Sequence, residues 1–118
     1  MSIRITSKTK SLRLRPTSKE ELIDIIRTEL ERQGPDADLN FIDTSLITDM
    51  SMLFWWIDIG NIQIDQWDTS NVAKMIAMFT NQNFKCDLSG WDVSNVERYD
   101  AIFKNCPNMT PELQPKFK

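Results

Sequence analysis

The chain has 118 residues, of which 41% are hydrophobic and 26% are charged, and these values are typical of one globular domain. It contains no histidine, which excludes the usual general base, the usual zinc ligand and every nucleophile that needs a histidine partner. The charge is uneven, because residues 1–19 carry six basic residues and no acidic one, whereas residues 20–118 carry a net charge of −9.

The first predicted elements lie in residues 1–36. Residues 3–6 and 12–15 alternate apolar and polar side chains, as half-exposed strands do, and they could pair as a hairpin. The segment 17–34 predicts a helix that starts at a capping box, carries one apolar stripe and ends at Gly34. We expect this strand–helix unit to cap the fold. The capping box pairs Thr17 with Glu20, and the stripe consists of Leu22, Ile25, Ile26 and Leu30.

One phrase occurs three times in the rest of the chain. Residues 66–79 read QWDTSNVAKMIAMF, residues 90–103 read GWDVSNVERYDAIF, and residues 41–54 are a looser copy, FIDTSLITDMSMLF. A catalytic motif is rarely written three times in so short a chain, so we interpret the phrase as a structural unit that packs on itself. The copies align on Asp43, Asp68 and Asp92, each followed two positions later by a serine: Ser45, Ser70 and Ser94.

Each copy predicts a short extended segment, a turn capped by its serine, and two to three turns of helix. The apolar residues after the serine recur at i, i+3, i+6 and i+7, on one side of a short helix. Stacked copies would bury their strands and helices against each other. The predicted fold class is therefore α/β: a small leucine-rich-repeat-like solenoid of about three strand–helix repeats with an N-terminal strand–helix cap. In this single domain of residues 1–118, residues 1–36 form the cap, 37–106 the repeats and 107–118 a C-terminal tail.

The phrase resembles the repeat of the BspA-like, leucine-rich-repeat-type family of bacterial surface proteins, with WDxSNV repeats of the Mycoplasma lipoprotein type. The resemblance covers about residues 39–106, with Ile42 in place of the tryptophan in the first copy. It implies a non-catalytic solenoid, an adhesive role in the large members and, for so short a chain, a phage or prophage member. The matches are Trp67, Asp68, Ser70, Val72, Met75, Met78 and Phe79, then Asp87, Leu88, Ser89, Trp91, Asp92, Ser94, Val96, Phe103 and Cys106.

The function that this resemblance implies is that of a protein-interaction module of the bacterial surface-protein type, and not an enzyme. The alternative is a small acidic inhibitor, encoded by a phage, that binds a basic site on a host defence protein or a nucleic-acid-handling protein. We expect a protein partner, no cofactor and no small-molecule substrate. Direct binding to nucleic acid is not expected, because no aromatic residues are interleaved with the basic residues near the N-terminus.

Location depends on whether the sequence is a whole gene product. No apolar stretch approaches the roughly 20 residues that a membrane helix needs, so no membrane insertion is expected. Residues 1–16 lack the apolar region of a secretory signal. We therefore expect the cytoplasm of a bacterial host for a full-length chain, and the cell surface for a fragment of a larger protein.

Candidate partner-binding residues combine two tryptophans with acidic side chains. Trp55 and Trp56 cannot both point inward from adjacent helical positions, so one of them is either covered by the following loop or exposed as an interface anchor. Acidic residues on or beside the repeat helices would steer a basic partner. The candidates are Trp55, Trp56, Asp58, Asp65, Glu97 and Asp100.

The repeated aspartates admit two interpretations. They could accept hydrogen bonds from nearby backbone N–H groups, or their carboxylates could bind a cation. Capping is favoured because no glycine-rich tight loop surrounds them, and no metal site is predicted. Trp67 and Trp91, each directly before an aspartate, are predicted to fill one buried layer. Cys86 and Cys106 are predicted to be free and buried, although one disulfide bridge is possible.

Overall fold

The computed structural model of the protein describes residues 14–117. The helix α1 spans Lys19–Gln33, and a short 3-10 turn spans Pro111–Leu113. The strand predicted at residues 3–6 and most of the one at 12–15 lie outside the described residues. Four isolated parallel bridges join Leu14 to Ile42, Asp38 to Gln63, Asp49 to Lys74, and Lys74 to Arg98.

The prediction of a solenoid built from strand–helix repeats is wrong. Within residues 14–117 there is one α-helix and no strand, and none of the three copies forms a helix after its serine. The reason lies in where the backbone N–H groups donate. In a helix each N–H would donate to the carbonyl four residues earlier. Here the Met50 N–H donates to the Lys74 carbonyl and the Met75 N–H donates to the Arg98 carbonyl, both at 2.8 Å.

A left-handed residue stops each predicted helix at the same place. Met52, Ala77 and Ala101 lie nine residues after their aspartates and have φ of 54°, 54° and 57°. An L residue with positive φ cannot continue a right-handed helix, so the chain turns instead. The Met52 N–H donates to the Ile76 carbonyl at 2.8 Å, and the Ala77 N–H donates to the Asp100 carbonyl at 2.9 Å. The apolar spacing therefore marks the buried side of a series of turns.

The helix predicted over residues 17–34 is confirmed, with its cap shifted by one residue. Ser18 is the N-cap, since its hydroxyl accepts the Glu21 N–H at 3.2 Å. The Glu21 carboxylate reaches back and accepts the N–H of Thr17, the residue before the N-cap, at 2.6 Å, which is a variant of the capping box. Gly34 ends the helix with φ of 88°, as predicted. Two residues of the predicted stripe, Leu22 and Ile26, are fully buried.

The repeated tryptophans are explained by contacts between neighbouring copies. The indole N–H of Trp67 donates to the Leu39 carbonyl at 2.8 Å, and that of Trp91 donates to the Ile64 carbonyl at 3.0 Å. The two rings lie nearly parallel, with centroids 6.5 Å apart. Only 4% of Trp67 and 5% of Trp91 is exposed. The prediction that both tryptophans fill one buried layer is confirmed.

The threonine and asparagine of the phrase also join neighbouring copies. The threonine hydroxyl donates to the aspartate carbonyl of the following copy, and the asparagine amide donates to the serine carbonyl of the preceding copy. Each bond satisfies a backbone carbonyl that no helix or strand pairs. These bonds run from Thr44 to Asp68 and from Thr69 to Asp92 at 2.9 Å, from Asn71 to Ser45 at 2.8 Å, and from Asn95 to Ser70 at 2.7 Å.

Each repeated aspartate closes a tight turn, as the capping interpretation predicts. The carboxylates of Asp43, Asp68 and Asp92 each accept the backbone N–H of the serine two residues later, at 3.0 Å. The serines are donors in these turns and not helix caps. Hydrogen bonds from Ser45, and then the neighbouring guanidinium of Arg15 at 3.0 Å, lower the pKa of Asp43 from its usual 3.8 to about 2.

Acid is expected to weaken the fold through Asp43. Because its pKa is lower in the folded protein, its contribution to stability is present above the unfolded pKa and is lost as the pH falls through about 2. Between about pH 5 and pH 2, the free energy of unfolding should fall about 2 kcal/mol further in the native protein than in Asp43→Asn. Urea unfolding at both pH values measures this difference. The exposed Asp36, changed to asparagine, is the control, and an equal fall in Asp43→Asn would contradict the prediction.

Candidate functional site

Two exposed tryptophans form a ridge on the turn that follows the first copy of the phrase. Trp56 is 80% exposed and Trp55 is 37% exposed, so both side chains reach solvent. Their rings meet edge to face, with centroids 6.4 Å apart. The Trp55 N–H donates to the Met52 carbonyl at 3.1 Å, and the preceding Phe54 is fully buried. A buried residue thus anchors the turn while the tryptophan ridge, Trp55 and Trp56, faces outward.

Trp56 borders two open grooves, and Asp58 lines both of them. The first, the helix groove, lies between the ridge and α1, and the second, the loop groove, lies between the ridge and residues 81–83. The loop groove is also bordered by Gln82, whose side-chain amide donates to the carbonyls of Phe54 at 3.0 Å and of Ile57 at 2.8 Å. These bonds fix the ridge to the body of the protein. The helix groove is lined by Asp24, Arg27, Thr28, Leu30, Glu31, Trp56, Ile57 and Asp58.

The helix groove carries more negative than positive side chains. Asp24, Glu31 and Asp58 supply three carboxylates, whereas Arg27 supplies one guanidinium. The carboxylates attract a cation, and the face of an indole ring binds a cation as well. A lysine or arginine side chain of a partner therefore suits this groove better than an acidic one.

The first copy departs from the other two at surface positions. Thirteen residues after its aspartate it carries Trp56, where the other copies carry Asn81 and Asn105. Both asparagines are exposed, and their side chains bond to each other at 2.9 Å. Three further positions of the first copy depart in the same way: Leu46 replaces Asn71 and Asn95, Met52 replaces Ala77 and Ala101, and Trp55 replaces Thr80 and Lys104.

Packing does not require large apolar residues at these positions, since the other copies fold with small or polar ones. Leu46 is 47% exposed and Met52 is 46% exposed. Among the described residues, the only other large apolar side chain with comparable exposure is Tyr99. Leu46 borders a separate groove beside residues 17–20, whereas Trp55 and Trp56 contact each other and form one exposed apolar surface, which marks an interaction site. Sequence reasoning missed Leu46, and comparing the copies position by position would have found it.

The predicted acidic residues do not gather around the ridge. Asp58 joins it, but Asp65, Glu97 and Asp100 line neither the helix groove nor the loop groove. Hydrogen bonds from Gln66 and then from Asn40 lower the pKa of Asp65. Asp100 forms an ion pair with Arg98 at 2.6 Å, while Glu97 is exposed. The acidic residues are therefore distributed over more than one face.

The cysteines are free and buried, as predicted. Burial raises the pKa of both the Cys86 and the Cys106 thiol, which keeps them protonated at neutral pH. Residues 14–117 bring no three cysteine, aspartate or glutamate side chains together in a group that could hold a metal ion. Within the same residues, no helix has the length and apolar character needed to cross a membrane.

A family model described as a Mycoplasma protein of unknown function, DUF285, matches residues 28–117. The match takes in the end of α1, all three copies of the phrase, the tryptophan ridge and the 3-10 turn. No curated protein and no solved structure matches the chain.

Proposed function

The chain belongs to this family of Mycoplasma proteins of unknown function, DUF285, and from the side chains on its surface we propose that it is a protein-interaction module without enzymatic activity. The tryptophan ridge is the binding site. One observation carries the proposal: Trp56 is 80% exposed at a position where the two other copies carry asparagine. Exposing an indole to water is unfavourable, so a partner that covers Trp56 lowers the free energy of the complex.

Within this family, the module is a BspA-like one of the surface-protein type. The WDxSNV phrase supports this closer assignment, although the solenoid expected with it is wrong for this chain. A surface-protein type suits adhesion, in which binding to another protein is the whole function. On this proposal the module acts at the cell surface.

The partner is a protein with an apolar pocket beside basic side chains. Tryptophan is enriched among the residues that carry most of the energy of protein interfaces, each contributing about 2 kcal/mol or more. Trp56 would enter the pocket, while Asp24, Glu31 and Asp58 would face the basic side chains. Charge complementarity of this kind chiefly raises the rate of association.

Trp56→Asn is expected to abolish most of the binding and leave the fold intact. The change installs the residue that the other copies carry at this position, so the melting temperature should stay the same. The affinity should fall at least about 30-fold, which corresponds to about 2 kcal/mol. The full chain is immobilised, the protein it retains from a bacterial lysate is identified, and its binding to each variant is measured.

Tyr99→Asn is the control, because Tyr99 is an exposed aromatic residue that lines neither groove. It should bind the partner as the native chain does. If Trp56→Asn binds normally while Tyr99→Asn does not, the ridge is not the site and the proposal fails.

The charge of the helix groove is tested separately, by kinetics. Asp58→Lys should slow association and reduce its dependence on salt, since exposed charges are screened over about 8 Å at physiological ionic strength. Asp100→Lys, the same change outside both grooves, should leave association unchanged. An association rate that changes neither with salt nor with either substitution would show that the partner is not recognised by its basic charge.

A further inference from the structure

The third copy presents a row of backbone N–H groups without an acceptor among residues 14–117. In the second copy, the equivalent N–H groups of Ala77, Phe79 and Asn81 donate to carbonyls of the third copy, each at 2.9 Å. Their counterparts in the third copy make no hydrogen bond to any residue in 14–117. We call these counterparts the donor edge: the N–H groups of Ala101, Phe103 and Asn105.

The donor edge has the same backbone geometry as the row that is occupied. Ala101 and Asn105 have φ of 57° and 56°, and the equivalent Ala77 and Asn81 have φ of 54° and 64°. The ring of Phe103 stacks on that of Phe79, with centroids 5.4 Å apart. The third copy therefore holds its three donors in the arrangement that the second copy uses to bind the turns of residues 100–104.

The carbonyls along this segment are already engaged in turns. Those of Tyr99, Ala101 and Phe103 each accept the N–H of the residue three positions later, at 3.1 to 3.2 Å. The Ala101 carbonyl also accepts the hydroxyl of Thr80 at 2.8 Å. The edge consequently offers donors, and a ligand that matches it must supply acceptors.

A symmetric dimer does not meet this requirement, and a head-to-tail pair meets it only in part. Two donor edges that face each other in a symmetric dimer would supply no acceptor to either side. A head-to-tail pair would need the free carbonyls of the first copy. Its Ser51 carbonyl, equivalent to that of Asp100, already accepts the ammonium of Lys19 at 2.9 Å, and the Asp49 carboxylate lies 3.8 Å from the same ammonium.

We propose that the donor edge binds a segment of another protein that forms the same series of turns and runs parallel to residues 101–105. The segment offers three backbone carbonyls at alternate residues, as Asp100, Ile102 and Lys104 do toward the second copy. Recognition of this kind adds a partner's backbone to an unpaired edge. The donor edge is separate from the tryptophan ridge, and the proposal does not rest on the function assigned to the ridge.

A synthetic peptide of residues 95–105 is the probe, because it carries the three carbonyls that occupy the second copy. It is added to the full chain labelled with ¹⁵N, up to about 1 mM, a concentration that detects weak association. Amide shifts should change most at Ala101, Phe103 and Asn105, and hydrogen exchange at these amides should slow. Changes confined to other residues, or no change, would overturn the proposal.

A backbone ester at Phe103 removes one donor and keeps the side chain. It also weakens the Ile102 carbonyl, which accepts the Phe79 N–H, so the melting temperature of the variant is measured first. The variant is made by joining residues 1–85 to a synthetic peptide of residues 86–118 at the native Cys86. The dissociation constant for the probe should rise about tenfold, as expected for one hydrogen bond of the ordinary net strength. An ester at the exposed Asn108 is the matched control and should bind the probe normally. If the Phe103 ester does not fold, an ester at Ala101 replaces it.

Two further outcomes are decisive. An unchanged affinity in the folded ester variant would show that the N–H groups do not bind the probe. Light scattering without peptide detects self-association, and a concentration-dependent dimer that the Phe103 ester abolishes would replace the partner segment with a second copy of the chain. Trp56→Asn should bind the probe as the native chain does, so a failure of the ridge and a failure of the donor edge remain distinguishable.

Discussion

Trp67→Ala and Trp91→Ala are each expected to lower the free energy of unfolding by about 3–5 kcal/mol. The two rings are buried and stacked on each other, so truncating either leaves a cavity in the layer between neighbouring copies. Each truncation also removes a buried hydrogen bond and leaves the carbonyl of Leu39 or Ile64 without its donor.

Urea unfolding measures both losses, and Trp56→Ala is the matched control. That tryptophan is 80% exposed, so its replacement should change stability by less than about 0.5 kcal/mol. Trp67→Phe retains most of the ring but not the N–H, and we expect it to cost about 1–2 kcal/mol. An unchanged midpoint in Trp67→Ala would show that the layer contributes nothing to stability.

Gly60→Ala is expected to cost about 3 kcal/mol for two reasons that add. Gly60 has φ of 57°, which an L residue adopts only with strain. A Cβ there would also lie 2.4 Å from the carbonyl oxygen of Pro35. That oxygen cannot easily move away, because it accepts the backbone N–H of Asn61 at 3.0 Å.

The three glycines of the chain form a series that separates these causes. At Gly34, with φ of 88° and ψ of −167°, a Cβ would meet nothing within 4 Å, so Gly34→Ala measures conformational strain alone, at about 1–3 kcal/mol. At Gly90 a Cβ also meets nothing, and the backbone is not left-handed, so Gly90→Ala should be neutral or slightly stabilising. A loss of only about 1–2 kcal/mol in Gly60→Ala, the cost of the left-handed backbone alone, would show that Pro35 moves freely.

Several features could be predicted from the sequence because they depend on residues close together in the chain. The helix over Lys19–Gln33 follows from its own apolar stripe, its cap and Gly34. The turn at each repeated aspartate needs only a carboxylate and the N–H two residues later. The burial of Trp67 and Trp91 follows from their identical position in the repeated phrase, directly before the aspartate.

The exposure of the ridge could be predicted only in part. Two adjacent tryptophans cannot both be buried on one face of a helix. No local rule, however, decides which of the two reaches solvent. The structure exposes both, because the segment is a turn and not a helix. The gathering of Asp24, Glu31 and Asp58 beside Trp56 depends on where α1 packs, which a single sequence does not specify.

By itself, the sequence determined the helix α1, the aspartate turns, the period of the phrase and the buried tryptophans. Only the tertiary structure decided that the segments after each serine form turns. The i, i+3, i+6, i+7 spacing suits both a short helix and the buried side of successive turns. In the first two copies the partner of the backbone N–H groups selects between them, and that partner is the carbonyl of a residue about 24 positions away in the next copy. Met52 and Ala77 adopt positive φ for this reason, since their bonds to the neighbouring copy replace those that a helix would have made. In the third copy, which contains Ala101, the backbone carbonyls accept the N–H groups of the second copy instead.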